Sequence, residues 1–167
     1  METIQPYLLP YSISNSAAII ILVSSFYYTK VTRLLFIMLF GWASWLNYTV
    51  AHQNPSDYLA YADLAVPIYR DFIDGWFKNH ITEMVSLISI GQGLIAMGMA
   101  LRGITVKLAS IGAIVFFLSI SPLGVGAAFP FPLITAYAAY MIIKKDNCDF
   151  IWRFKMLTRS KSFEKPV

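Results

Sequence analysis

The chain has 167 residues, of which 57% are hydrophobic and 13% are charged, and its mean hydropathy is +0.61. A soluble domain is about 45–50% apolar and about 25% charged, so this composition excludes an ordinary soluble protein and predicts an integral membrane protein. The single cysteine, Cys148, excludes an intramolecular disulfide and a CxxC redox pair, and the net charge of +4 is best interpreted through its distribution across a bilayer.

Apolar runs predict an all-α membrane bundle of about five transmembrane helices. The first three spans cover residues 12–28, 34–50 and 82–101. Residues 108–143 carry no charge, and this run is too long for one span of about 20 residues, so it predicts two helices with a turn at "SPLG", 121–124. The piece "GVGAAFPFP" is expected to lie partly at membrane depth, packed against protein. No turn residue interrupts "YYTKVTR", so one long, bent helix over residues 12–50 stays open as an alternative.

Charge asymmetry predicts the orientation of these spans. Alternate threading places two cations, Arg70 and Lys78, on one side of the membrane. The other side receives eleven, which are Lys30, Arg33, Arg102, Lys107, Lys144, Lys145, Arg153, Lys155, Arg159, Lys161 and Lys165. Because cytoplasmic loops are enriched in Lys and Arg, we expect a bacterial inner-membrane protein with its N-terminus outside and its C-terminus in the cytoplasm.

The loop over residues 51–80 is predicted to hold an amphipathic helix on the outer membrane surface. From Tyr61 to Lys78, apolar residues recur at i, i+4 while the charged residues share the opposite arc. Pro67 lies on the polar face and removes a backbone bond, which predicts a kink or a restart. An interfacial aromatic belt is expected from Trp42, Trp45, Tyr48, Trp76 and Phe77.

Three pieces of the chain resemble the corresponding parts of DoxX-like membrane proteins. They are "RLLFIMLFGWASWLNY" (33–48), "YADLAVPIYRDFIDGWF" (61–77) and "GQGLIAMGMALRGITVKLASIGAIVFFLS" (91–119). The resemblance implies a four-helix core at 33–143 that includes the outer loop, preceded by an N-terminal helix and basic connector at 1–32. A basic cytoplasmic tail at 144–167 follows. Gln92 stands where many members of that family carry an acidic residue.

Three polar residues near the outer surface are candidates for a catalytic site. His80 and Glu83 are at i, i+3, and adjacent second and third spans would bring His52 to the same membrane level. Two histidines and a carboxylate can hold a divalent metal, and two imidazoles can ligate a haem. Glu83 alone is a candidate proton relay to a quinone beside Trp76. The structural alternative is an interfacial pair of histidines and a helix-start acid, with Asn79 or Thr82 as the N-cap.

Polar residues deeper in the spans are candidates for ligand binding. Gln92 lies in mid-membrane and needs a hydrogen-bond partner, for which Asn47 or a serine is expected, either to join helices or to line a cavity. The candidate cofactor-binding residues are Asn47, Tyr48, Gln92 and Trp76. A stripe of small residues on the third span predicts close helix packing: Ser86, Ser89, Gly93, Ala96 and Ala100.

Three functions follow from these features. The leading one is a non-catalytic or accessory subunit of a larger inner-membrane assembly, associated through the resemblance with quinone-linked redox. The others are a small membrane enzyme or cofactor protein with the His/Glu site, and a small-molecule or lipid carrier. No cofactor is favoured, and a quinone, a divalent metal and a haem stay open. Expected partners are the lipid bilayer and other membrane or periplasmic-side subunits, or further copies of the chain, but not nucleic acid.

Overall fold

The computed structural model describes residues 5–152, which form a helical bundle without a β-strand. Within that range lie the α-helices α1 (Gln5–Tyr27), α2 (Thr29–Gln53), α3 (Pro67–Asp74), α4 (Ile81–Ala100), α5 (Ile104–Ile120) and α6 (Phe131–Lys145). Short 3₁₀ helices occupy Pro55–Leu64, Phe77–Asn79 and Ser121–Ala127. Four segments are long and apolar enough to cross a membrane: Leu8–Tyr27, Thr29–Gln53, Ile81–Ala100 and Ile104–Ala127. The predicted all-α membrane class is therefore confirmed, and α6, at 15 residues, is the shortest of the five helices of the bundle.

The chain reverses direction at Tyr28, between α1 and α2. Tyr28 leaves the helical region with φ −140° and ψ 71°, and the hydroxyls of Ser24 and Thr32 on either side of it lie 2.8 Å apart. At the far end of α1, the Tyr11 hydroxyl donates a 2.8 Å hydrogen bond to the carbonyl of Phe129. Residues 12–50 thus belong to two antiparallel helices, and the alternative of one long, bent helix is wrong.

The helices pack in a ring: α2 contacts α4, α4 contacts α5, α5 contacts α6, α6 contacts α1, and α1 contacts α2. One end of the bundle, which we call the basic end, carries the α1–α2 turn, the α4–α5 turn and residues 146–152. The opposite end, the loop end, carries residues 54–80 and 121–130. Among the described cations, Lys30, Arg33, Arg102, Lys107, Lys144 and Lys145 belong to the basic end, and Arg70 and Lys78 belong to the loop end.

Aromatic rings and small residues build the core. The ring of Phe117 lies 6.0 Å from that of Phe36 and 5.2 Å from that of Phe40, measured between centroids, and all three side chains are buried. Between α2 and α4, the Ser44 hydroxyl donates to the carbonyl of Ser89 at 2.7 Å. The predicted small-residue stripe therefore faces α2 at Ser89, and Gly93 lies beside the same hydroxyl.

The loop over residues 54–80 differs from the single helix predicted for residues 61–78. The 3₁₀ helix Pro55–Leu64 ends at Ala65, and α3 begins anew at Pro67, so the predicted restart is confirmed and a helix starting at Tyr61 is wrong. Proline disfavours a helical residue before it, and Val66 is accordingly extended with φ −63° and ψ 154°. The apolar side of α3 is divided, since Ile73 is buried and Ile68 is 74% exposed.

The glycine- and proline-rich turn after α5 packs against the rest of the loop end, as predicted. The backbone N–H of Val66 donates to the carbonyl of Pro122 at 3.0 Å. Gly124 has φ +59°, and a Cβ atom there would lie 2.7 Å from the carbonyl oxygen of Leu64, so no side chain fits at this contact. On the other side of the turn, the Asn15 side chain donates to the carbonyl of Ala128 at 3.0 Å.

Candidate functional site

The loop end contains an apolar cavity of about 760 Å³ between α4 and α5, closed on one side by the 3₁₀ helix Pro55–Leu64 and by α3. Its lining residues come from every element around it: Asn47, Tyr58, Tyr61, Ile68, Tyr69, Phe72, Ile73, Phe77, Met84, Val85, Ile88, Phe116, Ser119, Ile120, Leu123, Gly126 and Ala127. The volume falls in the range of about 300–1,000 Å³ that is typical of small-molecule sites.

The chemistry of the lining selects an uncharged ligand. None of the lining residues carries a carboxylate, an ammonium or a guanidinium group. Burying an unpaired charge costs several kcal/mol or more, so the part of a ligand inside this cavity must be neutral. Six aromatic rings contribute to the wall, three from tyrosine and three from phenylalanine, and these rings offer flat apolar surfaces against which a planar ligand can stack.

A chain of three polar side chains leads from the cavity wall into the α2–α4 contact. The Tyr58 hydroxyl donates to Asn47 Oδ1 at 3.0 Å, and Asn47 Nδ2 donates to Gln92 Oε1 at 2.9 Å. Gln92 is only 2% exposed. The expectation that Gln92 pairs with Asn47 is confirmed, and the pair satisfies polar groups that would otherwise be costly in an apolar interior.

Tyr58 is a member of this site that the sequence analysis did not single out. Desolvation by burial, followed by the neighbouring Tyr61 and Asp57, raises the pKa of Tyr58 to about 12. The phenol therefore keeps its proton over the physiological pH range and remains a hydrogen-bond donor. The only signal for it in the sequence is its position, three residues after the proline that opens the 3₁₀ helix.

The opposite wall of the cavity is fixed by a bond between α3 and α5. The Tyr69 hydroxyl donates to the carbonyl of Ser119 at 2.7 Å, and the Ser119 hydroxyl donates to the carbonyl of Val115 at 2.8 Å. Both hydroxyl protons are thus used within the wall. The bond from Tyr69 to Ser119 therefore holds α3 against α5, over the opening between α4 and α5.

A second, smaller cavity of about 300 Å³ lies beside the first, between the start of α1, the 3₁₀ helix Pro55–Leu64 and the turn after α5. Both cavities are lined by Tyr61 and Gly126. Asp57 is the charged residue in the lining of the smaller cavity. The two cavities therefore adjoin at Tyr61 and Gly126, and they differ in that the smaller one has a carboxylate in its lining.

Among the described residues His52, His80 and Glu83 do not form the predicted metal site, while their catalytic roles stay predictions. His52 Nδ1 lies 2.8 Å from the Tyr48 carbonyl within α2, and His80 Nδ1 lies 2.9 Å from the Trp76 carbonyl in the turn before α4. Within residues 5–152 there is no group of three His, Cys, Asp or Glu side chains able to hold a metal, so Glu83 completes no triad.

Each histidine also stacks on the aromatic residue four positions before it. The ring centroids of Trp76 and His80 lie 4.3 Å apart with 9° between the planes, and those of Tyr48 and His52 are also 4.3 Å apart. Tyr48 and Trp76, predicted as cofactor-binding residues, are more than half exposed and do not line either cavity. Of the four cofactor candidates, Asn47 lines the cavity and Gln92 supports it.

The predicted N-cap of the third span is wrong. α4 begins after His80, and no side chain caps its first turn. The Thr82 hydroxyl instead donates to the carbonyl of Ala51 on α2 at 3.0 Å, because the close α2–α4 contact offers an acceptor across the interface. Glu83 is exposed in that first turn, where a negative charge complements the helix dipole.

The basic end holds a buried ion network that the sequence analysis missed. Arg33 Nη1 lies 3.0 Å from Asp146 Oδ1, and both side chains have no exposed surface. The guanidinium also donates to the backbone carbonyls of Met99, Leu101 and Asp149. Residues 146–150, part of the basic cytoplasmic tail predicted at 144–167, are therefore built into the bundle, and the part of that tail from Arg153 onward lies outside the described residues.

Cys148 adjoins this network and is not set up as a nucleophile. Burial, with the Asp146 carboxylate second, raises the pKa of its thiol above the usual value, while Lys107 and Arg33 oppose the shift. A raised pKa reduces the thiolate fraction at neutral pH, and the thiolate is the reactive form.

Fold and cavity together define the class: an all-helical protein with four helices able to cross a membrane and an uncharged cavity at one end of the bundle. Comparison of the chain with protein-family models, curated proteins and solved structures finds no significant match to any of them. The resemblance to DoxX-like proteins is therefore carried into the proposal below on the quoted residues alone.

Proposed function

We propose that the protein binds an uncharged lipophilic small molecule inside the membrane, as a carrier or as the ligand-holding accessory subunit of a membrane assembly. The observation that supports it is the cavity of about 760 Å³ with no charged residue in its lining. A concave apolar site of this size with few polar groups is the usual form of a small-molecule site.

The position of the cavity supports access from the bilayer. Ile68, one of its lining residues, is 74% exposed, and Phe72 beside it is 39% exposed, so the wall formed by α3 reaches the surface of the bundle. A ligand dissolved in lipid would therefore reach the cavity beside α3 without passing through water.

We assign the loop end to the outer face of a bacterial inner membrane, with α6 as a fifth span in a DoxX-like core. The distribution of cations supports this assignment, because six of the described Lys and Arg residues lie at the basic end and two at the loop end. Cytoplasmic loops carry the excess of these residues. The cavity then opens in the outer leaflet.

A membrane-soluble quinone is the ligand class that connects this site with an accessory role in quinone-linked redox. Its planar ring suits a wall with six aromatic side chains. In this role the chain holds and orients the quinone, and electron transfer belongs to the partner subunit.

Photolabelling in native-like membranes tests the proposal. Vesicles containing the full chain are irradiated with hexadecanol that carries a diazirine in its chain, and the labelled residues are mapped by peptide mass spectrometry. We expect labelling of α4 and α5 that excess hexadecanol competes away. The variant Ile88→Trp fills the cavity, and it should lose this saturable labelling.

The matched control is Leu87→Trp, because Leu87 precedes Ile88 on α4 and is 70% exposed, outside the cavity. This variant should label as the wild type does. Labelling that never saturates, or that falls equally in both variants, would reject a specific site in the cavity.

A further inference from the structure

The two cavities of the loop end adjoin where the Tyr61 side chain lies against Gly126. Tyr61 and Gly126 line both the 760 Å³ cavity and the 300 Å³ cavity. A Cβ atom on Gly126 would lie 2.7 Å from Cδ1 of Tyr61, so the missing side chain is what gives this ring its room. A change of the Tyr61 rotamer would join the two spaces.

The two compartments differ in the chemistry they offer. The larger one has no charged group, whereas the smaller one is lined by the exposed carboxylate of Asp57 and by the hydroxyls of Tyr11 and Ser14. The surrounding segment adds to this contrast, since residues 54–83 hold five acidic and two basic side chains. Such a surface attracts cations and repels anions.

Resting on the apolar site of the proposed function, we infer that the protein also takes a second class of ligand, a single-chain amphiphile with a protonated amine head. Its apolar chain occupies the larger cavity, its head lies beside Asp57 in the smaller one, and the Tyr61 ring moves aside where the molecule passes. A charged head needs an opposite charge, and of the two cavities only the smaller one is lined by a charged residue, Asp57.

The affinity arm uses native mass spectrometry of the full chain, released from mild detergent, with dodecylamine and dodecanol as probes of equal chain length. Dodecylamine should bind more tightly than dodecanol. Asp57→Asn should weaken dodecylamine binding by about two- to fivefold, the scale of a solvent-exposed ion pair, and leave dodecanol unchanged. Asp63→Asn removes an exposed acid of the same 3₁₀ helix that lines neither cavity, and it should change neither probe.

The location arm uses cysteine protection in a Cys148→Ser background. Ser14 lines the smaller cavity, so dodecylamine should slow the reaction of Ser14→Cys with a membrane-impermeant maleimide, and dodecanol should not. Ser56→Cys, exposed beside Asp57 but outside the cavity lining, should react equally fast with either probe. Tyr61→Trp enlarges the side chain where the cavities adjoin and should abolish the protection while dodecanol still binds.

The outcomes separate the two claims. If dodecanol does not bind at all, the proposed function fails. If dodecanol binds and dodecylamine binds no more tightly, or if Ser14→Cys is not protected by the amine, the proposed function stands and the amine-headed amphiphile is ruled out.

Discussion

The guanidinium of Arg33 and the carboxylate of Asp146 form an ion pair with an Nη1 to Oδ1 distance of 3.0 Å, and neither side chain has exposed surface. The remaining lone pairs of the carboxylate accept from the Thr29 hydroxyl at 2.6 Å and from the backbone N–H of Cys148 at 2.7 Å. Both ions are therefore fully satisfied, which is the condition for a buried pair to be tolerated. The pair fastens α2 to the segment that follows α6.

Breaking this pair from one side should destabilise the bundle strongly. Arg33→Met leaves the Asp146 charge buried without its partner, and we expect the free energy of unfolding to fall by about 3–5 kcal/mol. Unfolding with a denaturing detergent, followed by circular dichroism, measures this change.

Two further variants show whether the pair itself is responsible. Lys107→Met removes an exposed cation of α5 and should have little effect. The double variant Arg33→Met/Asp146→Leu removes both charges and should recover part of the loss. An equal loss in Lys107→Met would mean that cation removal in general, and not the buried pair, causes the destabilisation.

The Asn47–Gln92 hydrogen bond should couple α2 and α4 energetically. In a double-mutant cycle of Asn47→Leu and Gln92→Leu, we expect a coupling free energy of about 0.6 kcal/mol and no more than about 1.7 kcal/mol, as for other hydrogen bonds between membrane helices. The control cycle pairs Asn47→Leu with Ser110→Ala near the basic end and should be additive. Coupling of the same size in both cycles would contradict a direct bond.

Tyr58 should titrate later than an ordinary tyrosine. With a pKa of about 12 in the folded protein against 10.0 for a free phenol, Tyr58 holds its proton where the unfolded chain has lost it. The unfolded state then binds fewer protons, so this residue's contribution to stability is complete below pH 10 and is lost as the pH rises from 10 towards 12.

The ultraviolet absorbance of tyrosinate follows the titration, with Tyr58→Phe as the comparison. The difference between the two proteins should show one phenol ionising near pH 12. The steeper alkaline loss of stability should be absent from Tyr58→Phe. A difference curve with its midpoint near pH 10 would refute the shift.

Gly98 should tolerate no side chain, whereas Gly91 on the same helix should. A Cβ on Gly98 would lie 2.7 Å from Cβ of Ala109 and 3.2 Å from the carbonyl oxygen of Thr105, while one on Gly91 meets nothing within 4 Å. Gly98→Ala should therefore cost about 1–3 kcal/mol by overpacking α4 against α5. Gly91→Ala should be neutral or stabilise by up to about 1 kcal/mol through helix propensity. The same unfolding assay ranks the pair, and a reversed order would disprove the close contact.

The assigned orientation predicts which surface residues face the outside of the cell. In a Cys148→Ser background, Ser56→Cys at the loop end should react with an impermeant maleimide added to intact cells. Asn147→Cys at the basic end should react only after the cells are opened. Both positions are exposed, so access to the side chain does not decide the result. Labelling of Asn147→Cys in intact cells would invert the assignment.

Local sequence was enough to predict much of the fold. Charge-free runs predicted the spans, and "SPLG" predicted the turn after α5, because apolar length and turn residues are local properties. Gln92 predicted a hydrogen bond to Asn47 or a serine, because a buried amide needs a hydrogen-bond partner. Pro67 marked the restart of a helix because its effect on the backbone does not depend on distant contacts.

What the sequence could not predict depends on contacts between distant positions. Arg33 and Asp146 are 113 residues apart, and their pairing requires that α2 and the end of α6 meet at one depth. The cavity likewise exists only because α3 bridges α4 and α5, which no periodicity shows. His52 had a local signal that the sequence analysis did not use, since it follows Tyr48 by four positions, a spacing that allows stacking on one helix. The stacking of His80 on Trp76 depends on the turn before α4, which no helical spacing predicts.

The contact between Gly98 and Ala109 fixes α4 against α5 near the basic end of the bundle. Met84, at the cavity, precedes Gly98 by fourteen residues, which is about 21 Å along the helix axis at 1.5 Å per residue. A tilt of α4 by about 10° about this contact would displace Met84 by about 4 Å, given the length of helix between them. This displacement is roughly the thickness of a hydrocarbon chain. Three hydrogen bonds between α2 and α4, Ser44 to Ser89, Asn47 to Gln92 and Thr82 to Ala51, oppose this tilt and hold the α4 wall of the cavity in place.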